Sequence, residues 1–167
     1  MSKLNLNKTW NYAAATESTN HILLKEKYDL FINGEFVKSN SKKYFDTINP
    51  ATDEVIAKIS EANKKDIDLA VKSAKIAFRR WSKLKAKERG KYIFRIARMI
   101  QERAKEFAVI ESMDGGKPIR ESRDVDIPLA ANHFFYYAGW ADKLEYAFPN
   151  KTPKPLGVAG QIIPWNF

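Results

Sequence analysis

The sequence predicts an α/β fold. Three observations predict it. Asn33-Gly34 sits between short apolar stretches, the strongest short-range signal for a β-hairpin. Apolar residues then recur at helical spacing from Ile67 onward. The run LGVAGQIIPWNF at 156–167 is nearly all apolar and suits a strand buried on both faces of a parallel sheet.

Each element follows from its residues. Residues 1–27 are rich in Asn, Thr and Lys and are expected to form a mobile polar arm. Residues 28–167 are expected to form the folded part. Within it, 30–32 and 35–37 pair around the Asn33-Gly34 turn, because both turn residues tolerate positive φ. Residues 44–48 and 54–59 form a second pair, with the turn NPATD at 49–53 between them. These short, partly alternating strands read as an antiparallel surface element.

Three long helices are expected next. In the first, Ile67, Ala70, Val71, Ala74, Ala77, Phe78 and Trp81 share one face. Asn63 is its expected N-cap, with Asp66 near the positive end of the helix. The second runs from about Lys87 to Met113, with Ile93, Ile96, Ala97, Ile100, Ala104, Phe107 and Ala108 as its face. The DGGKP segment at 114–118 stops it, since Gly suits the left-handed cap and Pro lies just beyond. The third starts near Ile127-Pro128 and carries Phe134, Tyr137, Ala138, Ala141 and Leu144. Residues 151–155 are a loop. The terminal apolar run then begins a parallel strand, which needs a crossover and a neighbour. The sequence reaches Phe167 before either, so it is expected to be part of a longer chain.

Composition narrows the function classes. The chain has 167 residues, one domain's worth of length. Hydrophobic residues make up 44%, enough for a sizeable core and against a disordered chain. There is no cysteine, which excludes a disulfide framework, a thiolate metal site and a cysteine nucleophile among these residues. The formal charge is +9, but no basic run exceeds two residues and no nucleic-acid motif accompanies it. A Lys-rich protein that binds no nucleic acid is the expected reading. No stretch approaches the ~18 apolar residues of a membrane span. The N-terminal residues lack an apolar core of the secretory kind, so a cytoplasmic location is expected.

Candidate chemistry is sparse. His21 and His133 are far apart and lack metal-ligand spacing; His133 reads as structural. There is no G-x-G-x-x-G and no P-loop. Gly157 and Gly160 suit close packing at a strand start. The unusual stretch is QIIPWNF at 161–167. An aromatic and an amide at the carboxyl end of a parallel strand lie where open α/β sheets bind ligands. A packed Trp with a turn-forming Asn is the alternative.

Seven segments, in order, resemble the NAD(P)-dependent aldehyde dehydrogenase family. They are FINGEFV at 31–37, INPATDEVI at 48–56, and AVKSAKIAF at 70–78 with Trp81. Arg89 with RIAR at 95–98, DGGKP at 114–118, YYAGWADK at 136–143 and PLGVAGQIIPWNF at 155–167 complete the set. Asp53 stands where the family more often has Gly, and Asp also tolerates the left-handed region.

The resemblance implies a specific fold and chemistry. The fold is the N-terminal part of the aldehyde dehydrogenase fold: antiparallel hairpins and three long helices that pack on a Rossmann-like cofactor domain, cut off after its first parallel strand. The activity is oxidation of an aldehyde to a carboxylic acid with NAD or NADP. A Cys attacks the aldehyde, hydride passes to the cofactor, and a Glu-activated water hydrolyses the thioester. Asn166 matches the family's oxyanion-hole Asn, and Ile162, Ile163, Pro164 and Trp165 match the strand end lining the cofactor cleft. By the same resemblance, the carbonyl oxygens of Thr47 and Ile48 and the region of Asp114 match ligands of a structural monovalent cation, as hard oxygen atoms suit such an ion. The intact enzyme is expected to take an aldehyde substrate and to form a dimer or tetramer. The family's Cys and Glu lie beyond Phe167, so the 167 residues alone are expected to be inactive. The alternative is a non-catalytic interaction module that docks on full-length subunits through its exposed apolar run.

Overall fold

A computed structural model describes residues 18–164 of the chain. The strands are β1 (Lys27–Tyr28), β2 (Leu30–Ile32), β3 (Glu35–Val37), β4 (Tyr44–Ile48) and β5 (Val55–Ser60). The helices are α1 (Lys64–Trp81), α2 (Ala86–Glu102), α3 (Ala104–Gly115), α4 (Ile119–Glu121), α5 (Ile127–Trp140) and α6 (Leu144–Ala147). A π-helical turn, Ser122–Asp126, joins α4 to α5.

Both expected hairpins form. β2 and β3 pair antiparallel, Leu30 with Val37 and Ile32 with Glu35. Asn33 and Gly34 have φ of 57° and 85°, so both turn residues are left-handed, as a two-residue turn of this kind requires. β4 and β5 pair antiparallel from Tyr44 with Ser60 to Ile48 with Val55, with an irregularity between Thr47 and Ile48. Asp53 takes φ 58° in the turn.

One strand departs from the expected pattern. β1 adds to β5 in parallel, giving the order β1-β5-β4. The amide of Lys58 donates to the Glu26 carbonyl at 2.9 Å. Glu26, Lys27 and Asp29 show no apolar alternation, and the partner lies about thirty residues further on, so no local signal marks β1. Nearby, Thr19–His21 form one 3-10 turn capped by the Ser18 hydroxyl.

The helices differ from expectation in two places. The second helix is two helices. Arg103 breaks it with φ −107° and ψ 17°. No Gly or Pro marks the break; packing imposes it. α2 lies along α5, whereas α3 turns onto the 119–126 segment, where the Ser112 and Ser122 hydroxyls meet at 3.2 Å. The Arg103 guanidinium holds the new start, with two bonds to Glu106 at 2.8 and 2.7 Å and its plane 5.2 Å from the Phe107 ring. The third helix begins earlier than expected. Helical backbone is already present at Ile119, and the π-turn precedes Pro128. Proline lacks an N–H and crowds the carbonyl one turn back, and a wider turn relieves both. The regular helix ends at Trp140, so Ala141 and Leu144 lie beyond it.

The core is thinner than composition suggested. Among the described residues the buried apolar ones are Ala57, Ala97, Ala108, Val109 and Ala131, all small. Small side chains let α2 and α5 approach closely: a Cβ on Gly90 would stand 3.1 Å from the Ala138 carbonyl oxygen. Phe94 and Phe135 meet edge to face at 5.0 Å across the same contact. Tyr137 is exposed, at the edge of a hollow it shares with Arg89 and Ile93 of α2. Large apolar side chains, among them Trp81, Tyr92, Phe94, Ile96 and Met99, keep a surface that no other described residue covers. Amphipathic helices whose apolar residues occupy more than one face need a second layer to bury them.

No described helix is long and apolar enough to cross a membrane.

Candidate functional site

The site residues expected from the sequence fall into two groups. The first is the terminal apolar run. Between Pro149 and Pro164 the chain forms no helix and no strand. The expected parallel strand is therefore not present over 156–164. The physical reason is plain: a strand is stabilised by a neighbour's N–H and C=O groups, and no strand among the described residues lies beside it. Its side chains face outward. Leu156, Ile162 and Ile163 are 106%, 99% and 79% exposed. The exposure expected for this run in the chain by itself is what the structure has. Ile162, Ile163 and Pro164 carry exposed apolar side chains and lie in no helix or strand. Trp165 and Asn166 lie outside the described residues.

The second group is the expected cation site. The structure brings Thr47 and Asp114 together, although 67 residues separate them: the Thr47 hydroxyl donates to the Asp114 carboxylate. Local chemistry on both sides explains the meeting. Asn49 Oδ1 accepts from the Ala51 amide at 3.0 Å, and its carbonyl accepts from the Asp53 amide at 2.9 Å, which closes the 49–53 turn. Gly116 ends α3 at φ 72°, and a Cβ there would stand 3.1 Å from Pro50 Cγ. The end of α3 therefore sits directly on the turn, with Asp114 beside β4. Ile48 is at the irregularity of β4 and is exposed. Hydroxyl, carboxylate and carbonyl oxygens fit a hard cation of low charge. Among the described residues no three His, Cys, Asp or Glu side chains converge, so a nitrogen- or carboxylate-rich metal centre is not formed by them.

Sequence reasoning missed a third contact. The Lys117 ammonium donates to Asp126 at 2.6 Å, with side chains only 24% and 15% exposed. It joins the end of α3 to the π-turn before α5. The hydrogen bond to Asp126 holds the Lys117 pKa above its ordinary value, against the opposing effect of burial. The partners, nine residues apart along the chain, are bridged by α4 and the π-turn, and no periodicity links them.

A groove between α2 and α5, lined by Gly90, Phe94, Phe135 and Gly139, carries lysines at its rim. Lys91 is paired with Glu88 and Lys143 with Asp142, both at 2.8 Å, so the rim is largely neutralised. His133 is exposed on α5.

Comparison with known proteins bears on the family and the fold class. The model of the aldehyde dehydrogenase family matches residues 36–167. An aldehyde dehydrogenase of Alternaria alternata is 44% identical over 147 residues, covering 83% of this chain. Aldehyde dehydrogenase family 2 member B4, mitochondrial, of Arabidopsis thaliana is 43% identical over 165 residues, covering 93% of the chain. The chain spans only 30% and 31% of the length of these two relatives. Among solved structures, the NAD+ complex of an aldehyde dehydrogenase from Bacillus cereus matches with TM-score 0.69 and 41% identity. That match covers 74% of this chain and 27% of the other. These neighbours support the α/β class, with helices and strands arranged as in their own N-terminal regions.

Proposed function

This chain belongs to the aldehyde dehydrogenase family, and on that premise we propose that it supplies the N-terminal part of an enzyme that oxidises an aldehyde to a carboxylic acid with NAD or NADP. The observation that carries the proposal is the exposed apolar run. Nine residues of strand-like composition stand in solvent with no partner, directly before Trp165 and Asn166. Bare apolar surface of this kind is stabilised only when another layer covers it.

The roles are as follows. Ile162, Ile163, Pro164 and Trp165 form the apolar wall that positions the nicotinamide and excludes water. The cofactor, when bound, accepts hydride from the substrate carbon. The Asn166 side-chain amide donates to the aldehyde oxygen as negative charge builds on it. The nucleophile comes from outside these 167 residues, which hold no cysteine. Thr47, Ile48 and Asp114 hold a structural monovalent cation that ties the β4–β5 turn to the end of α3. The assembled enzyme is a dimer or tetramer.

The test is Asn166→Ala in the protein as its native cell makes it. A donor to a developing oxyanion is typically worth about 10²–10³ in kcat. The expected result is a loss of that size with KM little changed. Unaltered kcat would overturn the role of Asn166.

A second reading has one observation in its favour. The same exposed run could serve a chain that docks on full-length subunits and has no turnover of its own. The two readings part on the native product: the docking chain would be made at 19.2 kDa.

A further inference from the structure

We propose that the Asn33-Gly34 hairpin tip is a site of spontaneous covalent modification, and that Ser73 on α1 sets its rate. The reaction needs no enzyme. The Gly34 backbone nitrogen attacks Asn33 Cγ, and the new N–Cγ bond closes a five-membered succinimide. The Cγ–Nδ2 bond breaks, and the amide leaves as ammonia with the proton from the Gly34 N–H. Water then opens the ring at either carbonyl, leaving aspartate or isoaspartate.

Four features of the tip carry this inference. Asn33 and Gly34 are both exposed, so water and hydroxide reach them. The space where a Gly34 side chain would stand is empty within 4 Å, so nothing obstructs the ring. The ladder pairs Ile32 with Glu35 and leaves the two turn residues outside it. Each strand of the hairpin has three residues, and two-stranded hairpins are marginal unless something supports them.

The support is specific. The Ser73 hydroxyl donates to Asn33 Oδ1 at 3.1 Å, across 40 residues of chain. Attack requires Asn33 Cγ to swing onto the following nitrogen, and this bond holds the side-chain amide toward α1 instead. Ser73 is thus a restraint: reaction proceeds in the fraction of molecules whose tip has left it.

The two products have different consequences. An aspartate at position 33 keeps an oxygen for the Ser73 hydroxyl and lies at the edge of a hollow shared with Arg80, which favours a negative charge. An isoaspartate adds one backbone atom to a two-residue turn. The added atom disturbs the pairing of Ile32 with Glu35 that closes the turn.

The experiment follows the peptide containing Asn33 by mass spectrometry while the full chain is aged in heavy-oxygen water. Uptake of one oxygen at position 33, with loss of nitrogen, reports conversion. The urea-unfolded chain should convert fastest and the folded wild type slowest but measurably. Ser73→Ala should lie between them, about two- to ten-fold faster than wild type, the effect of one neutral hydrogen bond. Ser73→Thr keeps the hydroxyl and should match wild type, which separates loss of the donor from disturbance of α1. No uptake in the folded wild type, over a time in which the unfolded chain converts fully, would overturn the site. A Ser73→Ala rate equal to or below that of wild type would overturn the restraint.

Discussion

Replacing Asp66 with alanine tests how α1 is tied to the sheet side of the molecule. Asp66 is 6% exposed, yet it is a carboxylate in the first turn of a helix. Its two oxygens are used separately. Oδ2 accepts the Asn63 amide at 2.9 Å, the return half of a capping box. Oδ1 accepts the Asn40 amide at 2.9 Å, from the loop before β4. Each is a hydrogen bond to an ionised group, worth about 1.5–3 kcal/mol. Favourable placement at the helix N-terminus adds about 0.5 kcal/mol. Water can reach the two N–H groups once the side chain is gone, so the lower end of the range applies. The net cost is about 3.5 kcal/mol. With a urea m-value of about 2 kcal/mol/M, the midpoint falls by about 1.8 M. Asp66→Asn keeps one acceptor oxygen and should cost about half. The assay is urea unfolding followed by far-ultraviolet circular dichroism. An Asp66→Ala midpoint within about 0.3 M of wild type, no more than the usual uncertainty of about 10–15% in such stabilities, would refute the reasoning. So would equal effects of the Ala and Asn variants.

Three further outcomes follow from the same structure. Lys117→Met should lower stability at neutral pH, and the gap to wild type should hold below the ordinary lysine value of 10.5. Because the folded pKa is raised, the gap should close as pH climbs through it; an alkaline series of unfolding curves checks this, and a constant gap would contradict it. Gly116→Ala forces a Cβ into the left-handed region and to 3.1 Å from Pro50 Cγ, for a cost of about 1–2 kcal/mol read by thermal unfolding. The purified 167-residue chain should give no aldehyde-dependent cofactor reduction in a spectrophotometric assay, since it carries no thiol nucleophile.

The legible parts of this fold are those with local causes. Asn33-Gly34, the 49–53 turn, the Asn63 cap and Gly116 each act through their own backbone preferences, and each appears where the sequence puts it. The missed parts have remote causes. β1 exists because β5 offers it an edge. The break at Arg103 exists because α2 and α3 pack on different partners. The Lys117–Asp126 pair depends on how α4 and the π-turn follow the end of α3. The terminal run shows the converse: a strand pattern alone is not enough without a neighbouring strand. Of the site, composition pointed to 161–167 as unusual and family likeness supplied the roles. The likeness had already grouped Thr47 with Asp114; the direct bond of the Thr47 hydroxyl to the Asp114 carboxylate came to view only in three dimensions.

The central claim is that these residues are the N-terminal part of a working aldehyde dehydrogenase. The most direct measurement is the intact mass of the protein as its native cell makes it, with aldehyde oxidation by that product measured on NAD and NADP. The account predicts a product much heavier than 19.2 kDa that oxidises aldehydes. A product of 19.2 kDa, or a heavier one with no such activity, would contradict it.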